Sequence, residues 1–127
     1  MPTVLSLWAQ ARSERASTSD RLDDVERLVA ESPAALLVAE RDGEIVGALI
    51  AAWDGWRGNM YRLAVRDGHR RQGIGLALTR AGEDYLRQCG ARRITALVAF
   101  EDKVAGEFWE SAGYPFDQEI GRRVRNL

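Results

Sequence analysis

The sequence predicts a single mixed α/β domain whose sheet is mostly antiparallel and flanked by about four helices. Three observations support this. Two helix-period stripes open the chain, three strand-like runs joined by short glycine turns follow, and a helix–strand–helix succession comes next. A length of 127 residues suits one domain, 1–127, with no linker, repeat or low-complexity segment.

Val4, Leu5, Leu7, Trp8 and Ala11 form the first one-face stripe. The second helix is expected over Asp20–Glu31, where Leu22, Val25, Leu28 and Val29 align and Ser19 or Asp20 can cap the orphan amides. Ser32-Pro33 ends it, because the residue before a proline is pushed out of the helical region. Ala35–Glu40 and Glu44–Ala52 read as a hairpin around Arg41-Asp42-Gly43, the glycine supplying the positive φ of the turn. The run Ile45–Ala52 is almost wholly apolar, so its strand belongs at the centre of the sheet, buried on both faces. Asp54-Gly55-Trp56-Arg57-Gly58 is a second turn and Asn59–Val65 a third strand. A helix follows over Gly75–Gln88 with Leu78, Ala81, Tyr85 and Cys89 along one side, and Gly90 stops it. Then come a strand over Arg93–Ala99, a helix over Asp102–Ala112 ending at Gly113, and a weakly patterned tail, Asp117–Arg125, expected as a last strand.

Composition excludes more than it assigns. The chain is 46% hydrophobic and 29% charged with a formal net charge of −1, which gives no general attraction to nucleic acid or membranes. Arginine clusters at Arg70–Arg71, Arg92–Arg93 and Arg122–Arg125 would serve a nucleic-acid binder, but no reading motif accompanies them. One cysteine, Cys89, and one histidine, His69, allow neither an internal disulfide nor a cysteine-rich zinc site, so no metal is expected. No apolar run reaches the ~18 residues of a membrane span, and the N-terminus lacks the pattern of a signal peptide. A soluble, cytoplasmic protein is the expectation.

The chemistry concentrates in Leu63-Ala64-Val65-Arg66-Asp67-Gly68-His69-Arg70-Arg71-Gln72-Gly73-Ile74-Gly75-Leu76-Ala77. A strand enters a glycine-bearing turn and a helix leaves it. Consecutive backbone N–H groups at a helix N-terminus attract anions, and glycines let a phosphate come close. Two known diphosphate cradles fail here. Gly68 and Gly73 have the P-loop spacing, but Ile74-Gly75 stand where lysine and a hydroxyl residue are required, and Leu78 stands where the dinucleotide fingerprint needs its third glycine.

Arg70-Arg71-Gln72-Gly73-Ile74-Gly75 resembles the Arg/Gln-x-x-Gly-x-Gly/Ala signature of the GNAT superfamily of N-acetyltransferases, small bacterial type. Ala105-Gly106-Glu107-Phe108-Trp109-Glu110-Ser111-Ala112-Gly113-Tyr114 resembles its second signature, an aromatic-bearing helix ended by Gly-Tyr. The resemblance spans nearly the whole chain. It implies an acyl-CoA-dependent N-acetyltransferase with acetyl-CoA as co-substrate and an amine acceptor of unidentified nature. It implies that the pantetheine arm pairs with backbone at Leu63, Ala64 and Val65, in a gap where that strand splays from Arg93–Ala99. The pyrophosphate would rest on Arg70, Arg71, Gln72, Gly73, Ile74, Gly75, Leu76 and Ala77. A backbone N–H near Val65 would stabilise the oxyanion.

Departures from the family pattern leave the catalytic acid and base unassigned. Trp109 stands where many members carry a proton-donating tyrosine, and Asp102 where an asparagine is common; Asp102 can still accept a hydrogen bond from the arm. Tyr61 and Glu101 are candidate proton-handling groups, with solvated or packing roles as the alternative. Tyr114 and Cys89 read as packing residues and His69 as an exposed turn residue. Trp53 and Trp56 either line the acceptor site or pack at a hairpin end. The family's usual first strand has no counterpart before the first helix, which raises a homodimer as a way to cover the exposed edge. A coenzyme-binding module without catalysis is the alternative function.

Overall fold

Asp42 and Gly43 both take positive φ, 53° and 78°, and fold β1 (Leu36–Arg41) back onto β2 (Glu44–Trp53). This is the tight hairpin that Asp-Gly predicts. A computed structural model of the chain describes residues 36–127. The two expected N-terminal helices, Trp8 and the question of the first strand lie outside those residues. After β2 come β3 (Gly58–Val65), α1 (Ile74–Cys89), β4 (Ile94–Ala96) and α2 (Lys103–Ser111). The sheet order is β1-β2-β3-β4, antiparallel until β4, which runs parallel to β3.

The central strand is buried as its composition predicts. Val46, Ala48 and Ile50 are buried on one face, and Leu49 and Ala51 on the other. The second set meets α1, where Leu49, Ala51, Met60, Leu78, Leu86 and Trp109 form the core. The buried residues of α1 are Leu78, Thr79, Gly82 and Leu86, while Ala81 is exposed and Tyr85 and Cys89 are only half-buried. The expected stripe through Ala81, Tyr85 and Cys89 is therefore displaced by about one residue. Its cause is Gly82: a Cβ there would lie 2.8 Å from Met60 Cε and 3.2 Å from Leu49 Cδ2. The helix packs through the absence of a side chain, which a count of apolar residues misses.

The edge near β4 departs most from expectation. Pairing with β3 covers only Gly58↔Ile94, Asn59↔Thr95 and Met60↔Ala96, so the expected seven-residue strand shrinks to three. The tail forms no strand either; residues 117–127 are exposed and irregular. Phe116 just before it, Ile120 and Val124 recur every fourth position, and Gly121 interrupts them, so the two-residue alternation of a half-buried strand is missing.

Candidate active site

β3 changes phase part-way along. Gly58 faces Leu86 and Met60 faces Gly82, both on the α1 side. Arg62 then takes φ +57°, and the β2–β3 register shifts between Ala48 and Ile50. One extra residue at this bulge puts Leu63 and Val65, instead of residues 62 and 64, toward α1: Leu63 packs on the core and Val65 Cγ2 approaches Gly75. The pairing with β4 has already ended at Met60. Beyond that point β3 keeps its β2 partners and its pairing with β4 has ended, which, among the described strands, leaves a fork open toward Val65.

The backbone in the fork is aimed by strand alternation. Arg66 N–H donates to the Val46 carbonyl at 2.7 Å, and Ala64 sits opposite Ala48. Alternate residues of an antiparallel ladder turn their polar groups to opposite neighbours. Val65, between them, thus presents its N–H on the side that β4 has left. Its carbonyl, on the same side, accepts Arg70 Nε at 3.1 Å.

The turn after β3 is built from three left-handed residues, Gly68 (φ 87°), Arg71 (φ 62°) and Gly73 (φ 81°). Gly73 is the N-cap of α1 and supplies no side-chain acceptor, and the first turn carries no acidic residue. The first helical bond from this end runs from Ala77 N–H to the Gly73 carbonyl at 2.9 Å. Ala77's amide, expected in the cradle, is thus engaged in the helix, and the N–H groups of Ile74, Gly75 and Leu76 precede the ladder. A Cβ at Gly73 would meet nothing within 4 Å, so that glycine serves conformation. Gly75 serves proximity: its Cβ would lie 3.3 Å from Phe108 Cε1 and 3.7 Å from Val65 Cγ2.

Side chains brace this turn from several directions. Arg66 Nε donates to the Ile45 carbonyl at 3.3 Å, Gln72 Nε2 to the Gly68 carbonyl at 3.4 Å, and Arg41 Nη1 to Gln72 Oε1. Arg70 pairs with Asp67 at 3.2 Å, with about half of each side chain or more exposed, and Arg71, Gln72 and Gly73 are exposed. His69 is half-buried instead of exposed, and its buried Nδ1 has no hydrogen-bond partner. Arg41 is a site residue that sequence reasoning missed; its signal is proximity to Gln72 across 31 residues of chain. Phe108 stood in the aromatic signature, but its place beside Gly75, 33 residues away in the chain, was not readable.

The remaining candidates separate clearly. Asp102 caps α2, its Oδ1 accepting Ala105 N–H at 3.0 Å, so one carboxylate oxygen is committed to the helix. Trp109 is 7% exposed and stacked edge-on with Phe108 and Tyr114. Tyr61, opposite Ile50, is half-buried and lines a broad open groove with Arg62, Ala99 and Glu101. Burial, and then the nearby Asp54 carboxylate, raises its hydroxyl above the usual tyrosine range. Trp53 packs against the core, while Trp56 is 74% exposed with the Arg57 guanidinium 4.1 Å above its ring. Both stand at the β2–β3 turn, at the far end of β3 from Val65, and Trp53 makes the packing contacts expected at a hairpin end. No metal-holding cluster of His, Cys, Asp or Glu occurs among the described residues, and no described helix is long and apolar enough to cross a membrane.

A glycine turn opening a helix, a strand pairing that ends part-way along β3 and an aromatic residue of α2 beside Gly75 stand together at this end of the sheet. The acetyltransferase (GNAT) family's sequence profile matches residues 1–114. The chain belongs to that family. An acetyltransferase of Sodalis glossinidius is 30% identical over 124 residues, covering 95% of this chain and 87% of the relative. Among solved structures, an aminoglycoside acetyltransferase from an uncultured soil sample, in complex with sisomicin, superposes with a TM-score of 0.79 at 19% identity, over 99% of this chain and 87% of that one. An aminoglycoside N-acetyltransferase in complex with CoA gives 0.77 at 15% identity, over 99% and 88%. The family assignment makes this chain an acetyltransferase, and the expected mixed, mostly antiparallel sheet is the fold it shares with these neighbours.

Proposed function

We propose that this acetyltransferase moves the acetyl group of acetyl-CoA directly to a primary amine, with the coenzyme held by the turn at 70–76 and by the fork beside Leu63, Ala64 and Val65. One observation carries the reading: uncapped amides at the start of α1, with no acidic residue in the first turn, open next to a strand whose pairing with β4 has ended. A bound thioester supplies the electrophilic carbonyl. The chain's own residues do the rest. The Ile74, Gly75 and Leu76 amides and the helix dipole hold the diphosphate charge, and Arg71 adds its cation. Val65 N–H faces the side of the fork where a carbonyl oxygen gaining charge would lie.

As a neutral amine attacks, the C–N bond forms and the C–S bond breaks; sulfur takes a proton from a donor, and the proton shed by nitrogen replaces it. Trp109 is buried and is no acid. Tyr61 borders the groove just past Met60, where the β3–β4 pairing ends, and a tyrosine hydroxyl is protonated at neutral pH. We assign it the donor role. The acceptor is an amine, with a small molecule favoured by the sisomicin-bound neighbour.

Calorimetry with CoA, paired with thiol release over a panel of amines that includes sisomicin, tests this. CoA binding with turnover on at least one amine is expected, and Tyr61→Phe should lower kcat by roughly 10–100-fold without changing CoA affinity. Absence of CoA binding would overturn the proposal. Tight binding without turnover on any amine would instead favour a coenzyme-binding module, the reading that Trp109 supports.

A further inference from the structure

The hydroxyl of Tyr114 does something that packing does not require. Its ring meets Trp109 edge-on at 5.0 Å, as a phenylalanine could, but its O–H donates to Glu83 Oε2 at 2.7 Å. Arg80 Nη1 lies 3.0 and 2.8 Å from the two oxygens of the same carboxylate, and Arg80 Nη2 donates to the Ala112 carbonyl at 3.1 Å. Glu83 is only 16% exposed at its side chain, so these donors act where water competes little. Gly113, at φ 100°, turns the chain so that Tyr114 N–H donates to the Trp109 carbonyl at 2.8 Å. The C-terminal end of α2 is thereby closed onto the middle of α1 through one carboxylate.

The same helix touches α1 at a second place. One turn before Ala112, Phe108 lies against Gly75, which Val65 Cγ2 also approaches, at the mouth of the fork. A helix of nine residues is a stiff body, so its position at one contact fixes its position at the other. We propose that Arg80, Glu83 and Tyr114 form a latch whose role is positional: it seats α2 so that Phe108 sets the width of the gap entered by the pantetheine arm. The bonds of the three run between the middle of α1 and the end of α2. They act on coenzyme binding through Phe108. The inference rests on the coenzyme reading above.

The test compares two probes, CoA and ADP; ADP carries a diphosphate but no pantetheine arm. Tyr114→Phe keeps the ring on Trp109 and removes only the donor; Glu83→Gln keeps the size of the acceptor and removes its charge. Each should weaken CoA binding about tenfold, ~1.4 kcal/mol, and leave ADP within about twofold. The double variant should be no weaker than the worse single one, because both changes open the same latch. Unchanged CoA affinity in the folded variants overturns the latch. So does an equal loss for both probes, which is what loosening of the turn or general unfolding would give. A wild-type protein that ignores CoA overturns the coenzyme reading itself, and the latch with it.

Discussion

β3 has a glycine- and arginine-bearing turn at each end, and the two turns solve the same problem in opposite ways. At the β2–β3 end, Asp54 turns its carboxylate inward and accepts the N–H groups of Arg57 at 2.6 Å and Trp56 at 2.8 Å. Those donors hold its carboxyl below the usual range, Arg57 first and Trp56 second. Arg57 then lies over Trp56, and the turn has spent its polar groups on itself. At the α1 end no side chain caps the helix and no acid enters its first turn. The bracing groups there, Arg41, Gln72 and Arg66, bond carbonyls and an amide oxygen and leave the amides of 74–76 alone. A turn that satisfies its own donors is architecture; one that holds donors open is a place for an anion.

That contrast can be broken most severely at the glycines. Gly73→Val forces a β-branched residue to φ +81°, and Gly75→Val drives a side chain into Phe108. Each should weaken CoA binding by about a hundredfold, ~2.7 kcal/mol, measured by calorimetry on protein that still gives a cooperative melt. A smaller effect of opposite sign on stability and binding is expected from Leu76→Glu. Leu76 is 42% exposed, so little packing is lost, and an acid in the first turn should stabilise α1 by ~0.3–1 kcal/mol. The same charge repels a diphosphate, so Tm should rise while CoA affinity falls about tenfold.

Asp54→Ala gives the smallest expected effect on coenzyme binding. Because the folded pKa of Asp54 is lowered, its stabilisation is present above the ordinary aspartate value of ~3.9 and is lost as pH falls through the folded one. The variant should melt slightly below wild type at pH 7, converge with it under acid, and bind CoA unchanged. A CoA defect in this variant would show that the two turns are coupled.

Much of this molecule was legible because short-range chemistry fixed it. The Asp42-Gly43 hairpin, the burial of Ile45–Ala52, the glycine stop at Gly90 and the strand–turn–helix around Gly73 all follow from residues within one or two turns of each other. Their φ preferences and apolar patterns do not depend on distant partners. Three features depended on long-range packing and were not readable. The buried side of α1 is set by Gly82 closing on Met60. The fork opens because Arg62 bulges and β4 pairs for three residues only. The tail forms no strand, since neither its four-residue apolar spacing nor so short a neighbour supports one.

By itself, the sequence determined that a helix would begin at a glycine turn with open amides, because capping and turn geometry are local properties. Only the tertiary structure decided what stands around those amides: Arg41 bracing Gln72, Phe108 against Gly75, and Tyr114 closing on Glu83. These contacts join residues some thirty positions apart. No local preference encodes them, and they exist only once the sheet and the two helices have packed.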